Sequence, residues 1–224
     1  MKTLSKAVAM ASLLSAGVMG AQVANAEVEY SAGLATTYLW RGTDLGGAAF
    51  SAAADYGHES GAYAGIWASS GDLALGNEYD LYVGFAKEFG DFSFDIQAVT
   101  YVYNNRTDDN GNDVAGSPGE ASDAIISLGF MDASVSYYQS LQDEDSSYIT
   151  AGYSIAGADL TVGMQDDGAG AEYTHLDVSY GLTDQLSITV SKVVDSGSDA
   201  AALSSWGVDP GERAIIIMSY SLPL

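Results

Sequence analysis

Beyond residue 26 the hydrophobic positions recur at every second residue. That is the period of a half-buried β-strand, not the 3.6-residue period of a helix. The first segment sets the pattern. Val28, Tyr30, Ala32, Leu34, Thr36, Tyr38 and Trp40 share one face; Glu27, Glu29, Ser31, Gly33, Ala35, Thr37 and Arg41 share the other. Tyr79, Leu81, Val83, Phe85 and Phe89 similarly oppose Glu78, Asp80, Tyr82, Gly84 and Glu88. Phe92, Phe94, Ile96 and Ala98 oppose Ser93, Asp95 and Gln97, and Leu176, Val178 and Tyr180 oppose His175, Asp177 and Ser179. Two stretches leave the faces open: Tyr63 and Trp67 against Ala62, Ala64, Ile66 and Ala68, and the run Ile215-Ile216-Ile217.

Turn signals divide the chain into about twelve such segments, near 28–41, 48–57, 62–70, 78–89, 92–104, 120–130, 133–141, 147–155, 159–166, 172–182, 185–194 and 212–222. Several exceed the ~5–6 residues usual in soluble sheets and match the ~9–11 residues of a tilted strand crossing a bilayer. The connections alternate in length. Gly90-Asp91, Met131-Asp132, Gly157, Thr183-Asp184 and the four residues from His58 to Gly61 are short; 42–47, 71–77, 105–119, 142–146, 167–171 and 195–211 are longer. Short turns at one end and long loops at the other mark an outer-membrane barrel. The expectation is an all-β fold: a single transmembrane, antiparallel, up-and-down β-barrel of about twelve strands, its longer loops outside the cell.

A bilayer tolerates only helices or closed barrels, because unpaired backbone groups in hydrocarbon are costly. The apolar face then meets lipid and the polar face lines the lumen. Tyr30, Tyr56, Phe89, Phe92, Phe130, Tyr153, Tyr180 and Tyr220 fall at the periplasmic ends, and Tyr38, Trp40 and Phe50 near the first outer loop, as two aromatic girdles. Lys87 and Lys192 fall by parity on the lipid face near strand ends, where their stems can snorkel to the headgroups.

The N-terminus adds the compartment. Lys2 and Lys6 precede an apolar stretch from Ala7 to Met19, and Ala24-Asn25-Ala26 supplies a small-x-small cleavage site. Residues 1–26 therefore read as a cleaved Sec signal peptide and residues 27–224 as the barrel, located in the bacterial outer membrane. Its neighbours would be outer-membrane lipid, lipopolysaccharide and the barrel insertion machinery.

Composition narrows the function. Thirty Asp and Glu against seven Lys and Arg give a net charge of −23, which argues against nucleic acid as a partner. With no cysteine there is no disulfide framework and no thiolate chemistry. Inward parity collects Glu29, Asp55, Glu78, Asp80, Asp95, Asp123 and Asp177, with Arg41 as their main basic counterpart, as pore-lining residues. Acidic rings favour cation passage. The leading function is a porin-like channel for passive diffusion of small solutes or cations. The alternative is a non-conducting structural or surface-interaction barrel, filled by side chains and ion pairs with Arg41 among them. Its loops 105–119 and 195–211 would contact partners, with Trp206 exposed at a tip or tucked in as a plug.

Other chemistry has little to stand on. Asp108, Asp109, Asn110, Asn112 and Asp113 crowd one loop and offer hard oxygens of the kind Ca²⁺ takes. Gly111 is not placed as in a calcium-loop motif, and such runs are more often solvated turns. No other cofactor is implied. Outer-membrane phospholipases use twelve-stranded barrels with Ser, His and Asn on the lipid side. Here His58 sits in a short turn and His175 on the luminal face, neither beside a nucleophile motif, so no enzyme is expected.

The chain resembles the TorF family of proteobacterial porins, much of it described only as conserved hypothetical proteins. The resemblance is carried by Tyr38-Leu39-Trp40-Arg41-Gly42, by Ser60-Gly61-Ala62-Tyr63-Ala64-Gly65-Ile66-Trp67-Ala68-Ser69, by Glu78-Tyr79-Asp80 with Tyr82, Gly84 and Phe85, and by Tyr101-Val102-Tyr103. It implies an outer-membrane barrel of channel function and carries over no catalytic residues. Arg41-Gly42 is expected to end the first strand at the outer rim, with Arg41 beside Glu78 or Asp80. The last residues, Ser221-Leu222-Pro223-Leu224, lack the terminal aromatic that insertion machinery commonly reads.

Overall fold

A computed structural model describes residues 27–107, 113–205, 208 and 213–224. The signal-peptide assignment at 1–26 lies outside these residues. Twelve antiparallel strands close into a barrel: β1 (Glu27–Ala35), β4 (Ala49–Gly57), β5 (Ala62–Asp72), β6 (Gly76–Phe89), β7 (Phe92–Tyr103), β10 (Ser122–Phe130), β11 (Ala133–Ser140), β12 (Ser147–Ile155), β13 (Ala158–Asp166), β14 (Glu172–Gly181), β15 (Leu186–Ser196) and β16 (Ile215–Ser221). Each pairs with its neighbours along the chain, and β1 closes on β16 through Gly33–Ser221, Leu34–Tyr220 and Ala35–Ser219. Closure leaves no unpaired edge. Two short strand pairs are not part of the ring: β2 (Tyr38–Trp40) with β3 (Thr43–Gly46), and β8 (Arg106–Thr107) with β9 (Asp113–Val114).

Alternation decides the two faces. Ile66, Ile96, Ile126, Leu128, Val135, Val162 and Ile216 point outward and are exposed, forming a continuous apolar belt. The aromatics Tyr30, Tyr56, Phe89, Phe92, Phe130, Tyr153, Tyr180 and Tyr220 ring the short-turn end, all exposed. The open cases resolve. Tyr63 and Trp67 face the lumen while Ile66 faces out; Ile217 turns inward at 1% exposure and Ile216 outward at 62%. Among the described residues no helix is long and apolar enough to cross a membrane.

One element departs from the sequence reading. The first strand does not run to Arg41 but ends at Ala35. The chain then re-enters the barrel as the β2–β3 hairpin, so Tyr38 and Trp40 are not girdle residues at the rim. Tyr38 is 2% exposed, with its ring stacked on Trp67 of β5. The turn explains the break. Arg41 (φ +46°) and Gly42 (φ +82°) lie between the paired Trp40 and Thr43. A two-residue turn with both φ positive matches the twist of a tight hairpin.

The other long connections stay at the same end of the barrel. Between β15 and β16, α1 (Ala200–Ser205) starts at Asp199, whose Oδ1 accepts from the backbone N–H of Ala201 and Ala202. Its Leu203 and the nearby Val208 are buried against Ala171 and Tyr173, so the helix packs at the start of β14. Trp206 lies outside the described residues.

Candidate functional site: the acidic lumen and its inward hairpin

The inner wall is polar because every second residue of each strand points there, and the sequence supplies Asp, Glu, Ser, Thr, Gln and Tyr at those positions. Hydrogen bonds organise it in two layers. In the half nearer the short turns, Tyr63 donates to Asp95 at 2.8 Å and accepts from Gln97 Nε2 at 3.1 Å, while Tyr82 donates to Asp55. Glu29 stands opposite Asp55 in the β1–β4 register, toward the short-turn end.

Toward the long loops the β2–β3 hairpin occupies the lumen. Arg41 Nη2 meets Asp123 Oδ2 of β10 at 2.6 Å, and Nη1 donates to Gln165 of β13 at 2.8 Å. Its guanidinium lies 4.4 Å from the Trp40 ring centre, 4.6 Å from Tyr148 and 5.3 Å from Tyr138. A planar fork can satisfy a carboxylate and an amide in its plane while stacking on aromatic faces. In the ring order β10 lies nearly opposite β1, so this one side chain ties the first loop to the far wall. Arg41 is therefore not at the rim beside Glu78 or Asp80. Its carboxylate partner is Asp123, and Tyr101 also donates to that carboxylate at 2.9 Å.

The rest of the hairpin is fitted to the wall. Tyr38 donates to Glu78 of β6, which also accepts from Tyr103 at 2.9 Å. Gly42 packs on His175 of β14; a Cβ there would lie 2.3 Å from the imidazole Cγ. His175 is held between the Tyr148 hydroxyl at 2.7 Å and Asp177 at 3.1 Å. The backbone N–H of Leu73, in the β5–β6 turn, donates to Leu45 of the hairpin at 3.0 Å.

Six acids singled out from sequence, Asp55, Glu78, Asp80, Asp95, Asp123 and Asp177, thus share the inner wall, and Arg41 reaches it from a loop. The sequence reading missed the luminal tyrosines 38, 63, 82, 101, 103, 138 and 148, which hold the carboxylates and the guanidinium. For two of them the signal was visible: Tyr82 stands on the parity of Glu78 and Asp80, and Tyr101 on that of Asp95. Of the calcium-loop residues, Asp108, Asn110 and Asn112 lie outside the described residues, and Asp113 is described only as part of β9. Among the described residues no three His, Asp or Glu are grouped to hold a metal.

A closed twelve-stranded β-barrel with an acidic, tyrosine-rich interior and a loop folded into it is the class these features define. Residues 21–213 match the model of a family of bacterial proteins of unknown function, Gcw_chp, and the chain belongs to that family. No curated protein sequence matches it. Solved structures similar to it include a KdgM porin and a KdgM porin in complex with disordered oligogalacturonate. Each has a TM-score of 0.46 and 9% identity, and the match covers 88% of this chain and 100% of theirs.

Proposed function

We propose that the protein is an outer-membrane, porin-like channel through which small solutes diffuse passively, with cations preferred over anions. The observation that carries the reading is the shared inward direction of Asp55, Glu78, Asp80, Asp95, Asp123 and Asp177 inside a closed barrel whose outer face is an apolar belt. A soluble barrel has no use for such a belt; a lipid-embedded one needs it. The carboxylates act as a fixed negative field that concentrates cations and repels anions. Outer-membrane location, a signal peptide ending at Ala26, contact with lipid and lipopolysaccharide, and delivery by the barrel insertion machinery belong to the same reading. So does placement with the TorF-like porins, on the Tyr38–Gly42 and Ser60–Ser69 runs. No catalytic residue is assigned.

The hairpin crosses the lumen at the level of Arg41, Tyr38, Tyr138 and Tyr148, and the three tyrosines there are buried. This same feature favours a second reading, a barrel closed by its own first loop. Flux assays on proteoliposomes separate the two. Entry of small cationic and neutral solutes at rates above empty liposomes supports the channel. No flux from a correctly folded barrel, identified by its heat-modifiable gel mobility, supports the closed structural barrel.

A further inference from the structure

Glu78 and Asp80 stand two residues apart on the inner face of β6, exposed by only 1% and 0%. Their surroundings differ. Both oxygens of Glu78 are engaged, Oε1 by Tyr103 and Oε2 by Tyr38. Neither oxygen of Asp80 receives a hydrogen bond from a hydroxyl, an amide or the backbone. Its cross-strand neighbours are Trp67 on β5 and Tyr101 on β7; the Trp67 indole is no answer to it, and the Tyr101 hydroxyl is given to Asp123. The group acting most strongly on Asp80 is the neighbouring Glu78 carboxyl, which lies within hydrogen-bonding reach and brings a second negative charge unless the two share a proton. Arg41 is committed to Asp123 and Gln165. Two buried carboxylates side by side without a counter-charge are among the most costly arrangements a protein can hold, and either a shared proton or a bound cation relieves it.

From this we infer that Glu78 and Asp80 form a binding site for a hard divalent cation, of which Ca²⁺ is the type. Both oxygens of Asp80 are free to ligate, Glu78 oxygens keep a lone pair, and Tyr38 and Tyr103 have phenolic oxygens whose protons are already directed at Glu78. All of these are hard oxygens, the set taken by Ca²⁺ and refused by soft metals. Two carboxylates match a double positive charge. Because Tyr38 belongs to the inward hairpin, an occupied site also helps to hold that hairpin in the lumen. The inference goes beyond the channel reading and holds whether or not the lumen conducts.

Terbium(III) is a suitable probe, since it takes calcium-type sites and its emission is sensitised by nearby Tyr and Trp, here Tyr38, Tyr103 and Trp67. The refolded protein should show saturable sensitised emission that Ca²⁺ displaces. Exposed acids also bind Tb³⁺, so the informative quantity is the difference between variants. Asp80→Asn should lower the Ca²⁺-displaceable emission at least tenfold and Glu78→Gln should lower it clearly, while Asp177→Asn, at another inward acid, leaves it in place. Heat-modifiable mobility of each variant shows that the barrel has formed. Equal emission from wild type and Asp80→Asn would overturn the inference. So would a protonated-carboxyl infrared band at neutral pH that Asp80→Asn removes, since a shared proton would then neutralise the pair.

Discussion

Arg41 is the residue on which the lumen is organised. It is held by a carboxylate, an amide and three aromatic faces contributed by the hairpin and four different strands. Removing one member of a buried, hydrogen-bonded ion pair leaves the other uncompensated, at a cost of about 3–5 kcal/mol. That cost falls on the seating of the hairpin and not on the ladder of the barrel. Arg41→Ala is therefore expected to leave heat-modifiable mobility intact while single-channel conductance rises several-fold and cation preference sharpens. Arg41→Lys should not restore wild-type conductance, because an ammonium lacks the planar fork and the stacking face. Gly42→Ala tests the same seating from its other side. It adds a Cβ where His175 already stands and forces a positive φ on a residue that resists it, so conductance should again rise without loss of the folded band.

At the scale of the element, the expected strand boundaries agree with the observed ones to within a few residues, apart from the end of the first. The period-2 alternation and the turn pairs Gly90-Asp91 and Met131-Asp132 are local signals, which is why they were legible. The first strand was misread because Tyr38 and Trp40 continue the parity of Leu34 and Thr36, so nothing in the period marks the break after Ala35. The marker was the Arg41-Gly42 pair, which reads equally as a strand end or a tight hairpin turn. Inward parity likewise gives a residue's face but not its position around the ring. That is why the acids were recognisable, while Asp123, 82 residues from Arg41, was not recognisable as its partner. Replacing 37–47 by a short Gly-Ser linker is expected to preserve the folded barrel, since β1 and β4 pair along their whole length without the hairpin. Conductance of that variant should exceed that of Arg41→Ala. A linker variant that fails to fold would mean that the hairpin is needed for closure.

For the whole molecule, the two faces of the barrel make opposite demands. Ile126 lies near the middle of β10 on the outer belt, 45% exposed and paired with Ile96. Ile126→Arg should destabilise the lipid-embedded barrel by roughly 2–4 kcal/mol, the cost of a cation at the bilayer midplane, measured by urea unfolding in liposomes. An unchanged midpoint would mean that this face does not meet lipid. The inner face carries the functional claim, that its carboxylates outweigh Arg41 and select by charge. The most direct measurement is the reversal potential of the refolded protein in a planar bilayer across a KCl gradient. The expected result is a steady conductance whose reversal potential lies toward that of K⁺, and which moves toward zero when Asp55, Asp95 and Asp177 are changed together to Asn. A reversal potential toward that of Cl⁻ would contradict the claim, as would the absence of conductance from both the wild type and the hairpin-replaced barrel.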